Sequence, residues 1–166
     1  IIPPLKSRNQ RKKKMEEDDY APEEIFLEFS KEQPIFILID ELPTFLDKLQ
    51  KAADKYAIVK NILENFAEKG RLHKLYFIMT LDNAQAAQVG GYTFFQLLKN
   101  QIEGIQLGGN CIGQTILSFD KLNYKKQNQS LKPGYAFVSS TDEDAAEEVY
   151  VPVLKSKKSK EKELRS

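Results

Sequence analysis

The stretch Pro34-Ile35-Phe36-Ile37-Leu38-Ile39-Asp40-Glu41 constrains this chain more than any other. Five consecutive apolar residues, three of them Ile, leave no polar face for water. Such a run reads as a strand buried on both faces of a parallel sheet, not as a half-exposed alternating one. It stops at two adjacent carboxylates. In an open α/β sheet, ligands lie beyond the carboxyl ends of the strands, so Asp40 and Glu41 fall where chemistry is usually done.

An apolar strand ending in Asp-Glu has the form of a Walker B segment. There the Asp holds Mg²⁺, directly or through water, and the Glu polarises the attacking water. A plainer reading stands beside it. The next helix starts here, and the positive end of a helix favours acidic residues whatever the function.

Length and composition narrow the field. The 166 residues suit one domain, and the 41 % apolar content supplies a core. Charged residues make up 30 %, yet the net charge is only +1. That balance speaks against a dedicated nucleic-acid surface. Cys111 is the one cysteine, so no internal disulfide is possible and a reducing compartment fits. No apolar run is long enough to span a membrane. The opening Ile1-Ile2-Pro3-Pro4 has no signal-peptide layout, and the chain is read as a piece of something longer.

Residues 1–30 form a charged helical lead-in. Lys6, Arg8 and Arg11 to Lys14 precede Glu16 to Asp19, a pattern for a solvated helix. Ala21 to Phe29 follows as a short helix with Pro22 in its first turn. Thr44 and Asp47 have the spacing of a capping box and predict a helix start after Pro43. Apolar positions from Phe45 to Phe66 recur every three or four residues, with a break at Asp54-Lys55 and Gly70 as the stop.

Leu75 to Thr80 is a second buried strand. A strand, a helical crossover and a strand make a right-handed unit with parallel strands, so Thr80 should share a rim with Asp40 and Glu41. Its hydroxyl could bond a γ-phosphate or the attacking water, or simply cap the following loop.

Farther on, Ala84 to Gly91 reads as a loop, Tyr92 to Gln101 as a helix, and Ile102 to Leu107 as a short strand. Ile112 to Phe119 is ambiguous between helix and strand, and 123–133 reads as a polar loop. Gly134 to Val138 and Val149 to Leu154 should pair antiparallel and close one side of the sheet, with Pro152 on an edge. The acidic residues Asp142 to Glu148 between them read as solvated. Residues 155–166, rich in Lys, are expected to be disordered. His73 reads as a surface residue, and Cys111 has no neighbour that would activate it.

No Gly-x-x-x-x-Gly-Lys-Ser/Thr occurs, so the backbone cradle for a triphosphate is absent from this sequence. Such a loop either precedes Ile1 in a parent chain or is not used.

The order of elements resembles the carboxyl-terminal portion of an FtsK/SpoIIIE-type ATPase domain. The resemblance rests on Ile37-Leu38-Ile39-Asp40-Glu41, a helix ending Gly70-Arg71, the strand Tyr76 to Thr80, and a closing Pro133-Gly134-Tyr135 strand. It runs from Glu23 to Leu154. The wording around Ile1 to Asn9, Pro34 to Asp40 and Leu107 to Asn110 resembles the last module of the coupling ATPases of type VII secretion in Gram-positive bacteria.

That resemblance implies a RecA-like P-loop α/β sandwich, mainly parallel with antiparallel closing strands, over residues 1–154. It implies ATP and Mg²⁺ as cofactors, with Asp40 on the metal and Glu41 as the catalytic base. Thr80 and Arg71 would join the nucleotide site. The parent would be a membrane-bound hexamer with several ATPase modules, exporting small helical proteins. Its last module is often degenerate and can bind an export signal. One departure bears on activity. Met79-Thr80-Leu81 stands where the family has Ala-Thr-Gln, and Asp82-Asn83 replaces Arg-Pro. Leu81 cannot make the hydrogen bonds of a sensor Gln, which points to weak or lost hydrolysis. The alternatives are a non-hydrolysing recognition or regulatory module and, more remotely, a DNA translocase motor.

Overall fold

A computed structural model describes residues 2–51, 53–139 and 146–152. The chain divides into two compact units, Ile1–Asn100 and Gln101–Ser166. It is mixed α/β.

The first unit opens with α1 (Ile2–Glu17) and α2 (Pro22–Ser30). Pro22 stands at the start of α2, and the Glu24 carboxylate accepts from the Ala21 N–H at 2.9 Å. That satisfies one of the donors a helix start leaves open. α1 is helical as expected but is not merely solvated, because Leu5 and Arg8 are buried. After β1 (Ile35–Ile39) the chain enters α3 (Leu42–Lys51) and α4 (Ala53–Lys69). The expected break falls close to its predicted place, and Tyr56 has non-helical angles inside α4.

The Thr44–Asp47 capping box is not used. The helix begins at Leu42, with the Glu41 carbonyl accepting from the Phe45 N–H at 3.1 Å. Gly70 does not end α4 in a left-handed turn either. It opens a 3₁₀ turn, Gly70–His73, and Lys74 takes the left-handed conformation at φ +54°.

β2 (Leu75–Met79) then pairs parallel with β1, from Ile35 opposite Leu75 to Ile39 opposite Met79. One face of this ladder meets the core, where Ile39, Leu75, Leu42 and Leu46 are buried. Burying each of these large side chains is worth about 1.5–3 kcal/mol. The other face is bare. Phe36, Leu38, Tyr76 and Ile78 are 52, 73, 36 and 52 % exposed, and Phe36 stacks on Tyr76. Burial on both faces, expected from the continuous apolar run, is therefore not found. Among the described residues the ladder has two strands, and nothing in the described part of this unit covers its outer side. α5 (Ala86–Val89) and α6 (Thr93–Leu98) complete the unit, with Val89, Phe94 and Phe95 buried. The segment expected as a loop thus carries a short helix.

The second unit is a three-stranded antiparallel sheet in the order β3 (Gly104–Gly109), β4 (Leu131–Ser139), β5 (Ala146–Tyr150), with a short α7 (Tyr124–Gln127) before β4. β4 and β5 pair antiparallel as expected, but the other neighbour of β4 is β3. The pair does not extend the parallel ladder, and antiparallel pairing outnumbers parallel pairing among the described strands. Ile112 to Phe119 is neither helix nor strand. It closes over a core of Cys111, Phe119, Leu122, Leu131 and Phe137. Glu147 and Glu148 lie in β5, whereas the rest of the acidic run and residues 153–166 fall outside the described residues.

Candidate functional site

The carboxyl ends of β1 and β2 bring Asp40, Glu41 and Thr80 together, as the parallel crossover requires. Thr80 engages four successive residues of the opposing strand end. Its N–H donates to the Ile39 carbonyl at 3.0 Å, and its carbonyl accepts from the Leu42 N–H at 2.9 Å. Its hydroxyl donates to Asp40 Oδ1 and accepts from the Glu41 N–H at 2.9 Å. The Glu41 N–H also approaches Asp40 Oδ1, at 3.1 Å.

Within this bracket Glu41 adopts φ +51°. A left-handed backbone costs a non-glycine residue roughly 1–2 kcal/mol, and such strain persists only where its surroundings over-determine it. Asp40, Glu41 and Thr80 are all exposed. Neither Asp40 Oδ2 nor the Glu41 carboxylate has a partner among the described residues. The rim therefore offers two solvated carboxylate groups side by side on a fixed turn.

Arg71 is not brought there. It is exposed in the 3₁₀ turn before β2, at the opposite end of the ladder. The five residues of β2 separate it from the rim by roughly 17 Å at about 3.3 Å per residue.

Among the described residues, no group of three or more His, Cys, Asp or Glu gathers to form a metal centre. Mg²⁺ bound with a nucleotide needs less. It usually keeps several waters and takes one or two carboxylates plus phosphate oxygens, and Asp40 Oδ2 fits that role. Leu81 and Asp82 lead away from the rim, with the Asp82 carboxylate capping the next turn at the Ala84 N–H, 2.9 Å away.

Two features had no sequence signal. An open groove of about 320 Å³ is lined by Leu46, Gln50, Lys60, Glu64, Tyr92 and Thr93, among others, and none of the rim residues faces it. The other is a cluster around His73, which is 9 % exposed and not the surface residue expected. Arg8, itself 7 % exposed, donates to the carbonyls of His73 and Gln33 at 2.5 and 2.8 Å and pairs with Glu32 at 3.2 Å. Arg11 joins Glu32 and lies over the Phe29 ring, which meets the imidazole edge-on. Burial, then the charges of Lys12 and Arg8, push the His73 pKa down. Arg11 first, with Arg8, holds the Glu32 carboxyl below its usual range. Cys111 is buried and its thiol pKa is pushed up, which leaves it a poor nucleophile.

No family model matches the chain, and no curated protein or solved structure matches it. No helix among the described residues is long and apolar enough to cross a membrane.

Proposed function

We propose that this chain is a C-terminal FtsK/SpoIIIE-type ATPase module of a membrane-bound type VII secretion motor, similar to the last ATPase module of EssC. The observation that carries the reading is the shared rim of two parallel strands, where Asp40 and Glu41 stand exposed beside Thr80. Asp40 would take the Mg²⁺ side of a bound ATP, and Glu41 would orient the attacking water. The bare outer face of the β1–β2 ladder supports a RecA-like sandwich in which a further layer packs on that face, since parallel sheets are otherwise covered on both faces. The module would act beside the other ATPase modules of its parent, in a hexamer at the cytoplasmic face of a Gram-positive membrane. Its cargo would be small helical proteins.

A second reading is a degenerate module that recognises substrate or regulates its neighbours without hydrolysis. It is favoured by Leu81, by the Thr80 hydroxyl proton already given to Asp40, and by the distant Arg71. Arg71 would then serve a neighbouring subunit. The near-balanced charge argues against a DNA translocase.

The test is a calorimetric MgATP titration of the chain joined to the residues that precede Ile1 in its parent, with Asp40→Ala as control. Binding that the control loses supports the nucleotide site. Its absence at millimolar nucleotide favours the degenerate reading, and secretion-substrate peptides are titrated next.

A further inference from the structure

We infer that Thr80 is a positioning residue: its hydroxyl is the latch that holds the Asp40–Glu41 turn in its strained form, and it does not contact phosphate. This rests on the reading of Asp40 and Glu41 as the working carboxylates.

A threonine hydroxyl has one proton to donate and two lone pairs to accept with. Here the proton goes to Asp40 Oδ1, and one lone pair takes the Glu41 N–H. A γ-phosphate offers only acceptors, so Thr80 could reach it only by releasing Asp40. The same residue's backbone ties down Ile39 and Leu42, one on each side of the Asp-Glu step. Together these bonds fix both ends and the middle of a turn that includes a glutamate at φ +51°.

Among the described residues, the side chain of Glu41 has no hydrogen bond or ion pair that would hold it there. Its departure from the strand end follows the backbone angle, which the hydroxyl bond holds at the middle of the turn while the main-chain bonds of Thr80 hold the two ends. Asp40 is oriented by the same atom. Its Oδ1 is engaged and its Oδ2 has no partner among the described residues, so the same hydroxyl is bonded to both acidic residues of the turn. The strain also explains the choice of residue. Valine would match threonine in shape but offers neither donor nor acceptor, while serine keeps both.

The test compares Thr80→Val with Thr80→Ser, using ¹⁵N NMR of the chain to follow the Glu41 amide. In Thr80→Val, the amide–Hα coupling and backbone shifts of Glu41 should leave the positive-φ range. Its hydrogen exchange should speed up by about tenfold or more, the scale of one lost hydrogen bond. Thr80→Ser should keep both. A Glu41 that stays at positive φ with unchanged exchange in Thr80→Val overturns the latch.

Should Thr80→Val fail to fold, adding Glu41→Gly should restore folding, because glycine holds this angle without strain. Failure of that rescue also overturns the latch. In MgATP hydrolysis by the parent chain, Thr80→Val should lower kcat by about tenfold with KM little changed. A rise in KM alone would put Thr80 on the nucleotide and overturn the positioning role. A parent chain that binds no MgATP counts against the ATPase reading instead, while the NMR comparison still decides the latch.

Discussion

The guanidinium of Arg8 donates to the main-chain carbonyl of His73 at 2.5 Å, joining α1 to the 3₁₀ turn before β2 across 65 residues of sequence. The same side chain reaches Gln33 and Glu32. Arg8→Ala strands a buried carbonyl and frees α1, so stability should fall by about 2–3 kcal/mol in urea unfolding. Arg8→Lys should recover little of it, because a single ammonium cannot reproduce the planar fork. Full recovery by lysine would show that charge alone holds the helix.

His73 makes this docking sensitive to acid. The unfolded imidazole titrates near about 6.5, whereas the folded one titrates lower. Below the unfolded value the unfolded chain binds more protons, so stability drops as pH falls from about 6.5 towards the folded pKa. Thermal unfolding followed from neutral to mildly acidic pH should show this slope, and His73→Phe should flatten it. A slope that persists in His73→Phe belongs to another group.

Gly134 sits in β4 at φ +88°, and an added Cβ would lie 3.2 Å from the Tyr150 ring. Gly134→Ala should cost about 1–2 kcal/mol from backbone strain alone. Gly91 faces open space without positive φ, so Gly91→Ala serves as a near-neutral control in the same unfolding measurement.

The exposed ladder face gives a surface prediction. Leu38→Lys with Ile78→Glu, an opposite-charge pair at facing positions, should lower the binding of a hydrophobic dye and shift unfolding by less than about 1 kcal/mol. A large loss of stability would mean that this face is covered in solution.

For the proposed reaction, Glu41→Gln in the parent chain should leave MgATP binding intact and reduce hydrolysis about a hundredfold or more, the usual scale for a lost general base. Unchanged hydrolysis removes Glu41 from the chemistry.

The two apolar runs and the parallel crossover were legible because each is a local pattern, and together they placed Thr80 beside Asp40. The burial of those runs was not legible. Phe36 and Leu38 are as apolar as a core strand demands, but coverage depends on neighbouring layers that a run of residues does not encode. The left-handed Glu41 gave no sign either, since only glycine or asparagine would have advertised that angle. Arg8 looked like one more cation in a charged helix. Its burial depends on carbonyls contributed from far along the chain, and no spacing rule within α1 reveals them. The burial of His73 has the same origin.

The parallel ladder also governs how the first unit can be assembled. Its pairs, such as Asp40 with Thr80, lie 40 residues apart, whereas β4 meets β5 at positions close in sequence, such as Ser139 opposite Ala146. Every doubling of the loop to be closed costs roughly 0.6 kcal/mol more entropy, to be met before the contacts form. Distant pairings slow the search for the native state. Closing the bracket around Asp40 and Glu41 therefore carries a larger loop entropy than folding β4 onto β5, and α3 and α4 shorten the path that has to be closed.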